Sequence, residues 1–193
     1  MSESDISSAL DAIDGANAGD PNEVGGEPLA LAQGRLAHTW VTRLDPSASD
    51  ALLLAARAHH LRRWVVPRST YPDGRPGYLK WRRDQKSRHG EELRVLLGVA
   101  NVSAEVAERA AEIVQKLDLG SDAEVQIFED AVSLTFLETQ FLSTADKLGN
   151  DDKMVTVVAK TLRKMSPAGH AAAATLSLDE RSSEIVRRAT AEL

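Results

Sequence analysis

Residues 57–89 read RAHHLRRWVVPRSTYPDGRPGYLKWRRDQKSRH. Three prolines and two glycines between Pro67 and Gly77 predict about ten residues of loop, because proline lacks a backbone donor and glycine favours turns. Helices are predicted on both sides of this loop, one ending near Trp64 and the next beginning near Tyr78. A helix, a loop and a second helix are therefore expected here, and loops of such specific composition often present binding groups.

The same stretch is strongly basic. It carries ten of the 23 lysines and arginines of the chain and only two acids, although the whole chain has a net charge of -6. Four of the eight aromatic residues lie between these charges, and three of the five histidines lie towards its two ends. Guanidinium groups bind phosphate through paired hydrogen bonds, and aromatic rings stack on bases or on arginine. The pattern predicts a site for an anionic, phosphate-bearing partner, with a solvated basic surface as the alternative.

Apolar residues at helical spacing predict helices along the rest of the chain. Asp45-Pro46 is a favourable helix start, Ser121 to Glu124 has the spacing of a capping box, and Asp179 is the expected N-cap of the last helix. No alternation typical of a strand persists for six residues. With 193 residues and 42% hydrophobic content, we expect one all-α domain. The predicted helices cover approximately residues 6–15, 28–44, 45–64, 78–97, 103–117, 121–141, 152–165 and 179–192.

The N-terminal segment is acidic. Residues 1–30 carry seven acids and no base, whereas the remaining residues carry 22 acids and 23 bases. We therefore divide the chain into an acidic arm with a short helix, residues 1–27, and a helical domain, residues 28–193. Because opposite charges attract, the arm is expected to pack beside the basic stretch, with Asn17 and Asp20 in contact with the site.

Composition excludes several classes of site. The chain has no cysteine, so it contains no disulfide and no thiolate metal site. No apolar run approaches the length of a membrane span, and the N-terminus lacks the pattern of a signal peptide, so a cytoplasmic protein without membrane contact is expected. The acidic net charge disfavours non-specific binding of duplex nucleic acid, which depends on many basic contacts. Nothing in the sequence indicates the oligomeric state.

Helical geometry directs several polar side chains toward the predicted core. Arg57 and His60 border the apolar stripe of the third predicted helix, whereas His59 and Arg63 point away from it. Arg82 and His89 lie on the apolar side of the fourth helix, and Asp130 lies on that of the sixth. Burial of such groups is unfavourable unless they pair with one another, bind a metal or surround a ligand. A self-satisfied ion network is the alternative to a functional site.

Four segments together resemble an uncharacterised family, domain of unknown function 4202. The most specific pattern is PRSTYP followed by GYLKWR, at residues 67–72 and 77–82, and the resemblance covers nearly the whole chain. It implies membership of that family without an activity. The segments are DAIDGANAGDPN (11–22), LAARAHHLRRWVVPRSTYPDGRPGYLKWRRDQKSRHG (54–90), QKLDLGSDAEVQIFEDAVSLTFLE (115–138) and DKMVTVVAKTLRKMSPAGHAAA (152–173).

A second, weaker resemblance is to the HD superfamily of helical, metal-dependent phosphohydrolases. His60 is similar to the early ligand of those proteins, Asp130 in EDAVSLTFLE to the late aspartate, and His89 to an additional histidine of larger members. The sequence departs from the family because it has no His-Asp dipeptide. The resemblance implies a distantly HD-like helical bundle with a divalent metal at His60, His89 and Asp130.

These observations predict a phosphohydrolase or related enzyme that acts on a nucleotide-like, phosphorylated substrate. His60, His89 and Glu129 are the candidate catalytic residues, with Glu129 as a base or a further metal ligand. One alternative is a non-catalytic protein that binds RNA or a nucleotide, and another is an iron-dependent HD-type oxygenase. The candidate substrate-binding residues are Arg57, Arg68, Arg75, Arg82, Trp64, Tyr71, Tyr78 and Trp81.

Overall fold

The computed structural model describes residues 3–193 and is all-α, as predicted. Two very short strands, β1 (Glu23–Val24) and β2 (Glu27–Pro28), form an antiparallel hairpin. None of the helices described is both long enough and apolar enough to cross a membrane. The helices are α1 (Glu3–Asn17), α2 (Leu29–Leu44), α3 (Asp50–Arg57), α4 (Gly74–Val99), α5 (Ala104–Gln115), α6 (Ala123–Thr139), α7 (Phe141–Leu148), α8 (Asp151–Leu162), α9 (Pro167–Ala173) and α10 (Glu180–Thr190).

Side-chain caps set where many of these helices begin. Asp179 accepts a hydrogen bond from the backbone N–H of Ser182 at the start of α10, as the sequence predicted. The sixth predicted helix also begins where expected, although Asp122 rather than Ser121 is its cap. Each cap satisfies one of the backbone donors that a helix leaves without a partner in its first turn. The other capping side chains are Ser49, Ser103, Asn150 and Ser166.

For the third predicted helix, residues 45–64, both the predicted first residue and the predicted last residue are wrong, because α3 covers Asp50–Arg57. Asp45 accepts hydrogen bonds from the N–H and the hydroxyl of Ser47 and so forms a local turn, and Ser49 caps α3 instead. At the other end α3 stops at Arg57, and the chain then adopts left-handed backbone at His60 (φ 61°) and Arg62 (φ 47°). Residues 58–62 therefore form a tight turn, and the side chains beyond Arg57 no longer follow helical spacing.

Other boundaries also differ from the sequence-based prediction, and the first is the start of α4, which lies at Gly74 within the predicted loop rather than near Tyr78. The sixth helix ends at Thr139, and α7 begins at Phe141 after a break at Gln140. The seventh predicted helix stops at Leu162 rather than residue 165, and α9 was not predicted. The polar segment 22–27, predicted as a linker, forms most of the β1–β2 hairpin.

A single hydrophobic core joins the helices. α2 packs against α3 and α6, α4 packs along α5, and α8 packs against α10. Ala9 and Ile13 of α1 are fully buried in the same core, where α1 packs on α3 and α4. The N-terminal helix is therefore an integral part of the core.

Gly34 allows α2 and α3 to approach each other closely. A Cβ at this position would lie 2.2 Å from the backbone oxygen of Arg57, a distance that real Cβ atoms do not adopt. We expect Gly34→Ala to lower the free energy of unfolding by about 1–3 kcal/mol, because the backbone of α3 must shift. Urea denaturation measures this loss. Gly98→Ala is the matched control, since a Cβ there meets no atom within 4 Å, and equal stability of the two variants would contradict the expectation.

Candidate functional site

Three lysines from three parts of the chain act on one buried carboxylate, that of Glu129 on α6, and two arginines lie next to this group. Lys116 forms an ion pair with Glu129, and the Nζ atom of Lys164 lies 3.6 Å from the Glu129 Oε1 atom. The charge of Lys86 acts on the same carboxylate and on the two neighbouring cations Arg82 and Lys164. We call this group the cation cluster, and its members are Arg63, Arg82, Lys86, Lys116 and Lys164.

Burial and mutual repulsion make the charged state of these cations less favourable. Burial, followed by the charge of Arg82, lowers the pKa of Arg63 to about 10. Burial also lowers the pKa of Lys86 and of Lys116, in both cases against the opposing attraction of Glu129. Burial alone would raise the pKa of Glu129, but the surrounding lysines outweigh it and hold that pKa below its usual value. The cluster thus contains one firmly ionised carboxylate and an excess of positive charge.

Three histidines form a chain beside the cation cluster. The rings of His59 and His60 stack with their centroids 3.8 Å apart, and the His60 and His89 centroids lie 6.3 Å apart. Burial first, and nearby cations second, lower the pKa of His59 and of His60 well below the usual value. The same causes lower the pKa of His89 to about 3. All three imidazoles are therefore neutral at pH 7.

The turn that carries His59, His60 and Arg63 is held by two distant side chains. The Oδ1 atom of Asn17 accepts a hydrogen bond from the backbone N–H of Arg62 at 3.0 Å. The Nδ1 atom of His60 lies 2.9 Å from Oε1 of Gln33, a residue of α2. Asn17 therefore lies against the turn of the basic stretch 57–89, beside which the arm was expected to pack.

Asp20 does not share the role predicted for it. Its carboxylate accepts hydrogen bonds from the backbone N–H groups of Asn22 and Ala30, at 2.9 Å and 3.0 Å. Asp20 therefore stabilises the β1–β2 hairpin and the start of α2, because its oxygens are used by backbone donors of that segment.

Backbone strain is concentrated around the cation cluster. Within residues 3–193, five non-glycine residues have positive φ, and three of them, His60, Arg62 and Lys116, lie in or next to the cluster. Left-handed backbone is unfavourable for residues with a Cβ and persists where the surrounding structure imposes it, often at functional sites. At Lys116 this conformation ends α5 and accompanies the ion pair with the buried Glu129.

Two buried polar atoms next to His60 have no hydrogen-bond partner among the described residues. They are Nε2 of Gln33 and Nε2 of His89, and both residues are at least nine-tenths buried. Such atoms are uncommon in folded proteins. They are a second indication, independent of charge, that this region serves more than packing.

Of the four arginines assigned to phosphate binding, only Arg82 belongs to the cation cluster. The guanidinium of Arg57 is paired with Asp14 of α1, at 2.5 Å and 2.6 Å. That of Arg68 donates hydrogen bonds to three loop carbonyls, and Arg75 is exposed in the first turn of α4. The assignment of Arg57 and Arg68 to a ligand is thus corrected, because their donors are used within the protein.

The four assigned aromatic residues have different environments. Trp81 is buried, donates a hydrogen bond to the carbonyl of Val66 at 2.9 Å, and lies under the guanidinium of Arg63. Tyr78 is 42% exposed one turn earlier on α4. The hydroxyl of Tyr71 donates to Asp84, and Trp64 lies against the turn at Gly19. Only Tyr78 and Trp81 are therefore adjacent to the cation cluster.

The predicted three-ligand metal site is not assembled. Asp130 accepts hydrogen bonds from the N–H and the hydroxyl of Ser166 and from the side chain of Gln126, so it fixes the start of α9. Within residues 3–193, no group of three or more His, Asp and Glu residues is arranged to hold a metal ion. His60 and His89 are close to each other, but Asp130 is used elsewhere because Ser166 and Gln126 already satisfy its carboxylate.

Sequence reasoning missed four members of the cation cluster. Arg63 was placed on the wrong side because a continuous third helix was assumed, and Lys86 was visible only as one of many basic residues. Lys116 and Lys164 stand outside residues 57–89, with no local pattern around them that indicates a site. Only the three-dimensional fold brings these two lysines to Glu129.

A protein-family model described as domain of unknown function DUF4202 matches residues 7–186. The chain belongs to the DUF4202 family. The family resemblance predicted from the sequence of this DUF4202 protein is thus confirmed over nearly the whole chain. No curated protein and no solved structure matches the chain. The resemblance to HD-superfamily proteins stays a hypothesis.

Proposed function

We propose that this DUF4202 protein binds a nucleotide-like, phosphorylated small molecule with its phosphate among the cations of the cluster. The observation that supports the proposal is the charge of the cluster. The group contains five cations and one carboxylate, so it has an excess of four positive charges in a protein whose net charge is -6. A structural ion network would instead match the number of carboxylates to the number of cations.

Burial strengthens this argument. Surface cations are screened by water and salt, whereas Arg63, Lys86 and Lys116 are at least partly buried and repel one another in a medium of lower dielectric. A phosphate group offsets such repulsion and accepts hydrogen bonds from several cations at once. The neighbouring basic groups Arg82 and Lys164 are more exposed and give an anion a route to the cluster.

A second candidate function, hydrolysis or transfer of that phosphate, is favoured by the histidine chain. Neutral imidazoles can accept or donate protons, and His60 combines this capacity with a strained backbone and a position beside the cluster. The ring of His89 is the spatial neighbour of the His60 ring. Glu129 stays a carboxylate because the nearby lysines hold its pKa low. In this proposal His60 is the acid or base, and no step depends on a metal.

Titration of ATP into Lys86→Met tests the proposal. Lys86 is a suitable position because it contributes charge to the cluster without the buried ion pair that Lys116 makes. We expect wild-type protein to bind ATP and Lys86→Met to bind it about tenfold more weakly, a loss of about 1.4 kcal/mol. Isothermal titration calorimetry measures both affinities, and assay of released phosphate in the same samples tests hydrolysis.

Lys160→Met is the matched control, since Lys160 is an exposed lysine on α8 outside the cation cluster. Its affinity for ATP should equal that of wild type. Absence of saturable ATP binding by the wild type, or equal binding by Lys86→Met and Lys160→Met, would refute the proposed site.

A further inference from the structure

Two neighbouring aromatic residues of α4, Tyr78 and Trp81, lie between the protein surface and the cation cluster, and we call this pair the aromatic ladder. The ring of Tyr78 is 42% exposed, and its centroid lies 6.1 Å from that of the buried Trp81. The guanidinium carbon of Arg63 lies 4.4 Å from the Trp81 ring, and that of Arg82 lies 5.8 Å from the Tyr78 ring. One end of the ladder is therefore an accessible aromatic ring, and both ends carry cations of the cluster.

The charge of the cluster bears on the number of phosphates. A phosphate monoester carries about two negative charges near pH 7. It would offset only about half of the excess of four positive charges that remains after Glu129 is counted. A ligand with two or three linked phosphates matches the cluster more closely.

The cations of the cluster form two groups, one at Glu129 and one at the aromatic ladder. Lys116 and Lys164 lie at the Glu129 carboxylate on one side. Arg63 and Arg82 lie at the aromatic ladder on the other, and Lys86 interacts with both groups. A linear polyphosphate carries negative charge along its length and so offers acceptors to both groups, whereas a single phosphate carries its charge at one point.

We infer that the ligand is a nucleoside di- or triphosphate whose base stacks on Tyr78 and whose phosphates lie between Arg63, Lys86 and the two lysines at Glu129. This inference rests on the proposed function and adds the class of ligand. Stacking on an aromatic side chain contributes substantially to the binding of a base and does not depend on which base it is. Tyr78 suits this role because its ring is exposed, whereas Trp81 is buried and bonded to Val66.

Binding of a graded set of ligands tests the inference. Isothermal titration calorimetry is carried out with AMP, ADP, ATP and inorganic tripolyphosphate on wild type and on Tyr78→Ala. We expect ADP and ATP to bind wild type at least about tenfold more tightly than AMP. Tyr78→Ala should weaken ATP about tenfold and leave tripolyphosphate unchanged, because only the base contacts the ring.

Leu79→Ala is the matched control, since Leu79 is the next residue of α4 and is 52% exposed. It should change the affinity of neither ATP nor tripolyphosphate. Equal binding of AMP and ATP, or equal weakening of ATP and tripolyphosphate by Tyr78→Ala, would overturn the inference while ATP binding upholds the proposed function. Failure of all four ligands to bind wild type would remove both.

Discussion

Glu129→Gln is expected to lower the free energy of unfolding by about 3–5 kcal/mol, because it removes one partner of a buried ion pair and leaves Lys116 without its counter-charge. The same substitution is expected to strengthen ATP binding about tenfold, which corresponds to about 1.4 kcal/mol. Glu129 is 3% exposed and is the carboxylate that offsets the cation cluster. Its removal therefore leaves more positive charge for the ligand to neutralise. Chemical denaturation and titration calorimetry measure the two effects, which have opposite signs.

Two further variants make this result interpretable. Glu108→Gln removes an exposed carboxylate that pairs with Arg94, so it should change stability little and leave ATP binding unchanged, because solvent screens exposed ion pairs. The double variant Glu129→Gln with Lys116→Met removes both partners and should recover much of the lost stability. Weaker ATP binding by a folded Glu129→Gln protein would contradict the anion site.

The free energy of unfolding is expected to fall by about 4 kcal/mol between pH 7 and pH 5.5. His59, His60 and His89 have a folded-state pKa far below the usual value near 6.5, so in this range the unfolded chain binds protons that the folded protein does not. The contribution of these neutral histidines to the free energy of unfolding is therefore present above pH 6.5. It is lost as the pH falls below that value, at about 1.4 kcal/mol per histidine per pH unit. For His89 the loss continues to about pH 3.

Urea denaturation at the two pH values measures this dependence. The pKa of His38 is also lowered, mainly by burial, and adds to the loss in the same direction. The contribution of Glu129 is lost only as the pH falls below 4.5 and through its still lower folded pKa, so it does not enter this range. His89→Leu should reduce the loss by about one third, since leucine does not titrate. Equal stability of the wild type at pH 7 and pH 5.5 would contradict the neutral histidine chain.

The features that were predicted from the sequence are those fixed by neighbouring residues. The cap at Asp179 depends on local backbone chemistry, which the sequence shows directly, whereas the loop after Pro67 is shorter than predicted because α4 already begins at Gly74. The basic composition of residues 57–89 is likewise visible in the sequence, and this stretch supplies Arg63, Arg82 and Lys86 to the cation cluster. Helical spacing also placed His89 and Asp130 on buried faces, where the structure has them, but it was wrong for Arg82, which is exposed on α4.

The site itself depends on interactions between residues far apart in the sequence. The turn after α3 is held by Asn17 and Gln33, which lie 45 and 27 residues from their partners Arg62 and His60. No pattern within residues 57–64 reveals these bonds, so a continuous helix was the natural prediction. Asp130 was assigned to a metal for a similar reason. Its partner Ser166 is 36 residues away, at the cap of a helix that the sequence did not indicate.

The hydrogen bond from the Arg62 amide to Asn17 links the site to the docking of α1. Asp14 holds the same helix to α3 through Arg57, so the last turn of α1 is fastened at two points, one of which also supports the histidine turn. In any molecule where α1 is transiently undocked, the Arg62 amide loses this acceptor and the turn loses a constraint. The apparent affinity of a ligand is its intrinsic affinity multiplied by the fraction of binding-competent molecules, so binding reports on α1 docking. By the same linkage, a ligand that requires the intact turn slows hydrogen exchange in α1, a helix that it does not touch.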